Sequence, residues 1–116
     1  MRFPRQARLT RKQDFTRVFD QASRFSHGGF TLLARANALG HARLGLAIAK
    51  RNVRLATARN RIKRLAREGF RRHQDRLGGL DIVVLVRPGV AARSNRALRQ
   101  ALETLWSRLI ESCKES

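Results

Sequence analysis

The sequence predicts an α/β chain: an α+β two-layer sandwich, one small domain whose sheet is joined by a basic crossover helix, with helices near both ends of the chain. Three observations predict it. Residues 43–50 alternate large and small apolar side chains, as a strand with one core face does. From residue 53 or 54 to 75 or 76, apolar side chains recur at helical spacing beneath a run of Arg and Lys. Residues 80–87, with Ile82-Val83-Val84-Leu85-Val86 at their centre, are nearly all apolar, as a strand buried on both sides is. Strand, long helix and buried strand make a parallel pair with a crossover between them. At 116 residues with 42% hydrophobic side chains, the chain suits one domain, 1–116, with a modest core.

The elements follow in order. Residues 1–9 read as a basic, partly extended lead-in. Thr10 with Gln13 reads as a capping box, opening a short helix from about 11 to 20. Phe15, Val18 and Phe19 share one side of it; core packing and stacking on a base in a groove are both open to the two Phe residues. Residues 21–29, rich in Ser and Gly, read as a loop. Residues 30–36 read as the first strand and 37–41 as a turn. In the strand 43–50, Leu44, Leu46 and Ile48 face the core. Gly45, Ala47 and Ala49 make the other face smooth, open to close approach by a packed helix or an extended ligand. Asn52 reads as the cap of the basic helix and Gly78-Gly79 as its stop. Pro88-Gly89 ends the buried strand. Ser94 or Asn95 caps a last helix, about 95–111, with Leu98, Leu102, Leu105, Trp106 and Leu109 as its core stripe and Trp106 as a packing anchor. Residues 112–116 read as a short flexible tail.

Charge points to the partner. Lys and Arg number 26 against 8 Asp and Glu, a net charge of +18, which asks for an anionic partner, nucleic acid foremost. On the basic helix, Ala58, Ile62, Leu65, Ala66 and Gly69 form one stripe with Phe70 at its edge. Asn60, Lys63, Arg64, Arg67 and Arg71 stand opposite, with Arg61 and Arg72 on a flank, and Glu68 is the one acid among them. Repulsion along Arg59-Lys63-Arg67 is left uncompensated, which suits a helix whose counter-charge comes from a polyanion. No run approaches the ~20 apolar residues of a membrane span, and residues 1–6 lack a signal peptide's apolar core. The single Cys113 fits a reducing cytoplasm.

Residues for autonomous RNA cleavage are not gathered in the sequence. The acids, Asp14, Asp20, Glu68, Asp75, Asp81, Glu103, Glu111 and Glu115, are scattered rather than grouped to hold Mg²⁺. His27, His41 and His73 stand in unrelated segments, so no acid–base pair is expected. There is no Cys-x-x-Cys zinc motif and no phosphate loop.

Lys50-Arg51-Asn52-Val53-Arg54 followed by Arg59-Asn60-Arg61-Ile62-Lys63-Arg64-Leu65-Ala66-Arg67, behind a strand, closely resembles the signature of the bacterial ribonuclease P protein family. The resemblance covers nearly the whole chain. It implies a left-handed crossover, against the usual rule. It also implies a protein cofactor to a catalytic RNA subunit that uses Mg²⁺, and contact with the 5′ leader of precursor tRNA. No membrane and no obligate protein partner are expected. By position, Arg59, Asn60, Arg61, Lys63, Arg64 and Arg67 would meet the catalytic RNA, with Lys50, Arg51 and Arg54 extending the contact. Phe15 and Phe19 would line the leader cleft, with Leu33 on its wall and Gly45, Ala47 and Ala49 as its floor. Many relatives carry an aromatic on the first strand where this chain has Leu32-Leu33, which implies weaker base preference.

Overall fold

The computed structural model describes residues 7–114. Three helices and four strands follow in the order α1 (Lys12–Gln21), β1 (Ser23–His27), β2 (Phe30–Ala36), β3 (Arg43–Ala47), α2 (Ala56–His73), β4 (Leu80–Val86) and α3 (Asn95–Lys114). The strands form one mixed sheet in the order β1-β2-β4-β3. β1 and β2, and β2 and β4, pair antiparallel, whereas β3 and β4 pair parallel with Gly45 opposite Val83 and Ala47 opposite Leu85. The expected α+β crossover architecture is therefore present.

β4 is central, and its alternate residues feed two cores. Ile82, Val84 and Val86 join Phe30, Leu32 and Leu44 from the neighbouring strands beneath α2 and α3. Val83 joins Leu33, Leu9 and Val18 beneath α1, with Phe15 and Leu85 packed at the margin. On α2, Ile62, Leu65, Ala66, Gly69 and Phe70 are buried, as their spacing predicts. On α3, Leu98, Leu102, Leu105, Trp106 and Leu109 are buried. Trp106 packs onto Gly69 and meets Phe70 at 6.1 Å between ring centroids, tilted by 60°.

Several local expectations are corrected. Residues 23–27 are not loop but an edge strand, closed onto β2 by the two-residue turn Gly28-Gly29, both at positive φ (59° and 91°), which is the turn a tight hairpin needs. α1 begins at Lys12 behind Arg11, and no side chain caps it, so Thr10 and Gln13 form no capping box. α2 begins at Ala56 behind Leu55, again without a side-chain cap. Asn52 instead donates from Nδ2 to the Val86 carbonyl at 2.8 Å, tying the turn after β3 to the end of β4. β3 ends at Ala47, so Ile48 and Ala49 lead into that turn. A single 3₁₀ turn, Gln74–Arg76, finishes the basic helix before Gly78, whose φ is +57°. Ser94 caps α3, its Oγ accepting from Ala97 N at 3.1 Å. α3 runs on to Lys114, past the predicted end at 111. The lead-in is extended where described: Arg8 bridges to Leu44, and Leu9 N donates to the Leu44 carbonyl at 2.9 Å. Residues 1–6 and 115–116, parts of the predicted lead-in and tail, lie outside the described residues.

Candidate nucleic-acid interface

α2 carries the cations where its periodicity places them. Its apolar stripe is spent on the sheet and α3, so the polar residues of the opposite side face outward. Asn60, Arg64 and Arg67 are exposed and Lys63 is half-buried. Lys63 and Arg67 also line a small hollow of about 240 Å³ with Arg8, Leu44 and Leu46, so the basic face turns toward the lead-in along β3. Lys50, Arg51 and Arg54 are exposed on the turn between β3 and α2. That turn is closed by the Ala49 carbonyl, which accepts from Asn52 N at 3.0 Å and Val53 N at 3.1 Å.

Two of the predicted contact residues are differently placed. Arg61 reaches across to the start of α3, donating to the Ala91 carbonyl and to Asn95 Oδ1, each at 2.9 Å. Arg59 reaches back into the connection before α2, donating through Nη1 to the carbonyls of Val53 at 2.9 Å and Arg54 at 2.8 Å. Both side chains bind the protein's own oxygens. They brace the segments on either side of the exposed cations.

The predicted cleft is divided by α1. Gly45 is buried beneath it: a Cβ there would stand 2.8 Å from two ring carbons of Phe15 and 3.0 Å from Leu9 Cβ. Leu33 is buried with Val18 in the same small core. At these two positions a packed helix, not open space, explains the smooth face. Past the helix the face opens. Ala47, Ala49 and Leu85 are half-buried, and the register continues through Thr31, opposite Leu85, to Ser26. The hydroxyls of Ser26 and Thr31 lie 2.9 Å apart. Phe15 is half-buried at the edge of this floor, and Phe19 is 49% exposed. Ala47 and Leu85 therefore form this part of the face with a polar continuation, and Ala49 lies just beyond them in the turn that carries Lys50 and Arg51.

At the other end of the same face, Asp81 is gripped. Arg43 donates through Nε and Nη2 to its two carboxylate oxygens at 2.8 and 2.7 Å, and Asn37 Nδ2 donates at 2.8 Å. Asp14 approaches the same guanidinium at 3.7 Å, fixing α1 over the sheet. Burial opposes ionisation of Asp81, but the hydrogen bonds from Arg43 and Asn37 outweigh it and hold the carboxyl below its ordinary range. Glu103 follows the same logic: burial works against the charge, and His73 and Arg72 hold its carboxyl low. Among the described residues no three His, Cys, Asp or Glu side chains come together as metal ligands.

Sequence reasoning missed Leu85, Thr31 and Ser26. β4 is apolar on both sides, which hides the face that Leu85 takes, and Ser26 lies on the strand read as loop. The available signal was Gly28-Gly29, two residues between two short runs.

A family model described as Ribonuclease P matches residues 3–110. The chain is 57% identical over 106 residues to the ribonuclease P protein component of Photorhabdus laumondii, covering 91% of this chain and 89% of that protein. It is 55% identical, over the same shares, to the ribonuclease P protein component of Yersinia enterocolitica. Among solved structures it is similar to the RNase P protein of Staphylococcus aureus, with a TM-score of 0.81 and 26% identity over 88% of this chain and 94% of that one. It is also similar to the RNase P protein of Thermotoga maritima, with a TM-score of 0.76 and 31% identity over 87% and 96%.

Proposed function

The chain belongs to the ribonuclease P protein family, and from that premise we propose that α2 and the turn before it hold the catalytic RNA subunit while the floor beside α1 holds the 5′ leader of precursor tRNA. The protein is the protein component of ribonuclease P, a tRNA-processing endoribonuclease ribonucleoprotein. One observation supports the first half of the proposal most directly. The outward face of α2 presents Asn60, Lys63, Arg64 and Arg67 over a fully packed inner face. Such a face neutralises phosphates and releases their counterions, and Arg adds a planar fork that matches phosphate oxygens.

The second half rests on shape. Ala47 and Leu85, with Ala49 just beyond them, offer a shallow apolar floor beside Phe15 that accepts an extended strand without reading much sequence, while Phe19 stands exposed on α1. Leu32 is buried on the helix side of the sheet and Leu33 under α1, so neither supplies a stacking platform, in keeping with weak base preference. Lys50 and Arg51, at the same end of the sheet, would join the two surfaces.

Ribonuclease P requires metal ions. Of the described acids, Asp14 and Asp81 are committed to Arg43 and Glu103 to Arg72 and His73, and no three potential ligands come together among the described residues. We assign Mg²⁺ to the RNA subunit. The protein's part is to reduce phosphate repulsion around the cleavage site, so that the RNA takes up Mg²⁺ at lower concentration. The whole chain acts in this reading as one RNA-binding domain in the cytoplasm. Reconstitution with the cognate RNA subunit at low Mg²⁺ tests it: precursor-tRNA cleavage should rise on adding the protein, and no gain would refute the reading.

A further inference from the structure

We propose that a second cationic hollow, on the α2–α3 side of the sheet, binds a phosphodiester segment of the RNA subunit separate from the one held by the outer face of α2. The inference rests on the reading of the chain as the RNA-holding protein of ribonuclease P. The hollow has a volume of about 950 Å³ and lies between the carboxyl end of α2, the first half of α3 and the β1–β2 turn.

Its shape comes from glycine. Gly28 sits so close to α3 that a Cβ there would overlap that of Ala101, and a Cβ on Gly29 would stand 3.0 Å from Val90 Cγ2. The turn therefore seats flush on the helix, and no side chain from Gly28 or Gly29 fills the space between them.

Its net charge is positive. Glu103 is the one acid on the lining, and it is already spent on Arg72 at 2.5 Å and on His73 Nε2 at 2.8 Å. Arg76 donates to His73 Nδ1 at 2.9 Å, an uncharged acceptor, so the charge of Arg76 is not offset. Arg99 meets Glu68 only at 3.7 Å, with both side chains about half exposed, which is worth little. Arg93 has no acid partner among the described residues. Guanidinium groups lining one concavity focus positive potential into it, and their donor forks suit phosphate oxygens.

The RNA subunit is the occupant that fits. The hollow is on the opposite side of the sheet from the floor beside α1, so a leader lying on that floor does not reach it. It is continuous with the basic helix through Arg72 and, just beyond, Arg76. α2 is about 27 Å long at 1.5 Å per residue, so its two ends address different stretches of a folded RNA.

The test is binding of the full chain to a transcript of the RNA subunit across a salt series. Arg76→Gln with Arg93→Gln should weaken binding about tenfold and lower the magnitude of the salt slope by about 1.5 to 2, as expected for two lost phosphate contacts. Arg24→Gln with Arg108→Gln removes the same charge elsewhere and should leave the slope nearly unchanged. Equal effects of the two pairs would overturn the proposal, as would a loss confined to precursor-tRNA binding by the holoenzyme. Arg64→Gln with Arg67→Gln separates the failures. If that pair weakens binding and the hollow pair does not, only the hollow is refuted. If neither does, the assignment of the RNA subunit to α2 falls too.

Discussion

The ring of Phe15 lies directly over Gly45, leaving no room for a methyl group at residue 45, which would stand 2.8 Å from Phe15 Cε1 and Cζ. The clash is not relieved by a flexible chain end, because the third neighbour is Leu9 Cβ at 3.0 Å, Leu9 is buried in the core under α1, and the Phe15 ring packs against that same core. Gly45→Ala should therefore destabilise the fold by about 1–3 kcal/mol, the usual range for overpacking. Urea midpoints measure it. Phe15→Ala in the same background should recover part of the loss, because the two residues share one space.

Phe15 is only half-buried and packs on the same small core as Ala47 and Leu85. Phe15→Ala is expected to lower holoenzyme affinity for leader-bearing precursor tRNA more than for leaderless tRNA. Equal losses for the two substrates would mean that the ring serves packing alone.

Arg61 and Arg64 are three residues apart on α2 and should respond oppositely to alanine. Arg61 binds Ala91 O and Asn95 Oδ1, and removing it should cost about 1–2 kcal/mol of stability by freeing the start of α3. Arg64 is exposed on the outer face, and Arg64→Ala should leave the urea midpoint within about 0.5 kcal/mol while lowering the salt slope of RNA-subunit binding by about 0.9. A destabilised Arg64→Ala, or an Arg61→Ala that melts like the parent, would reverse these roles.

What was legible in the sequence divides along physical lines. The helical period of residues 56–73 and the apolar run of β4 each report burial directly, so the crossover, the inner stripe of α2 and the core stripe of α3 follow from local pattern. β1 was not legible as a strand because an edge strand buries little: Phe25 is its one large apolar residue. The site was legible as a set of cations but not as a geometry. Nothing local distinguishes Arg61, which bonds an oxygen 30 positions later in the chain, from Arg64, which faces water. Likewise the small residues of β3 announce a close approach, yet only tertiary packing decides that α1 takes Gly45 and leaves Ala47 partly open.

Asp81 should make part of the stability pH-dependent. Its carboxyl is held below the unfolded value of about 3.9, so its contribution is present above that pH and is lost as pH falls through the folded pKa. Asp81→Asn removes the charge but keeps the shape, and leaves the more distant Asp14 as the acid beside Arg43. The variant should be about 1–3 kcal/mol less stable than the parent at pH 7, with the gap shrinking below about pH 4. A gap constant from pH 7 to pH 3 would show that the pair contributes nothing through ionisation.

Gly69→Ala sets two known effects against each other. In a helix interior the change should add about 1 kcal/mol through helix propensity. Here the new Cβ would stand 2.5 Å from Trp106 Nε1 and 3.1 Å from Cδ1. Trp106 is fully buried between the helices, so the indole has no open side to move toward, and overpacking of this kind costs about 1–3 kcal/mol. The clash should win, with a net loss near 1 kcal/mol or more. Trp106→Phe in the Gly69→Ala chain should restore part of it. It removes the clashing nitrogen, which is buried without an acceptor among the described residues. Thermal melts of the two single variants and the double then measure the coupling: a double less destabilised than the sum places the clash at this contact, and strictly additive losses would show that α3 shifts to make room.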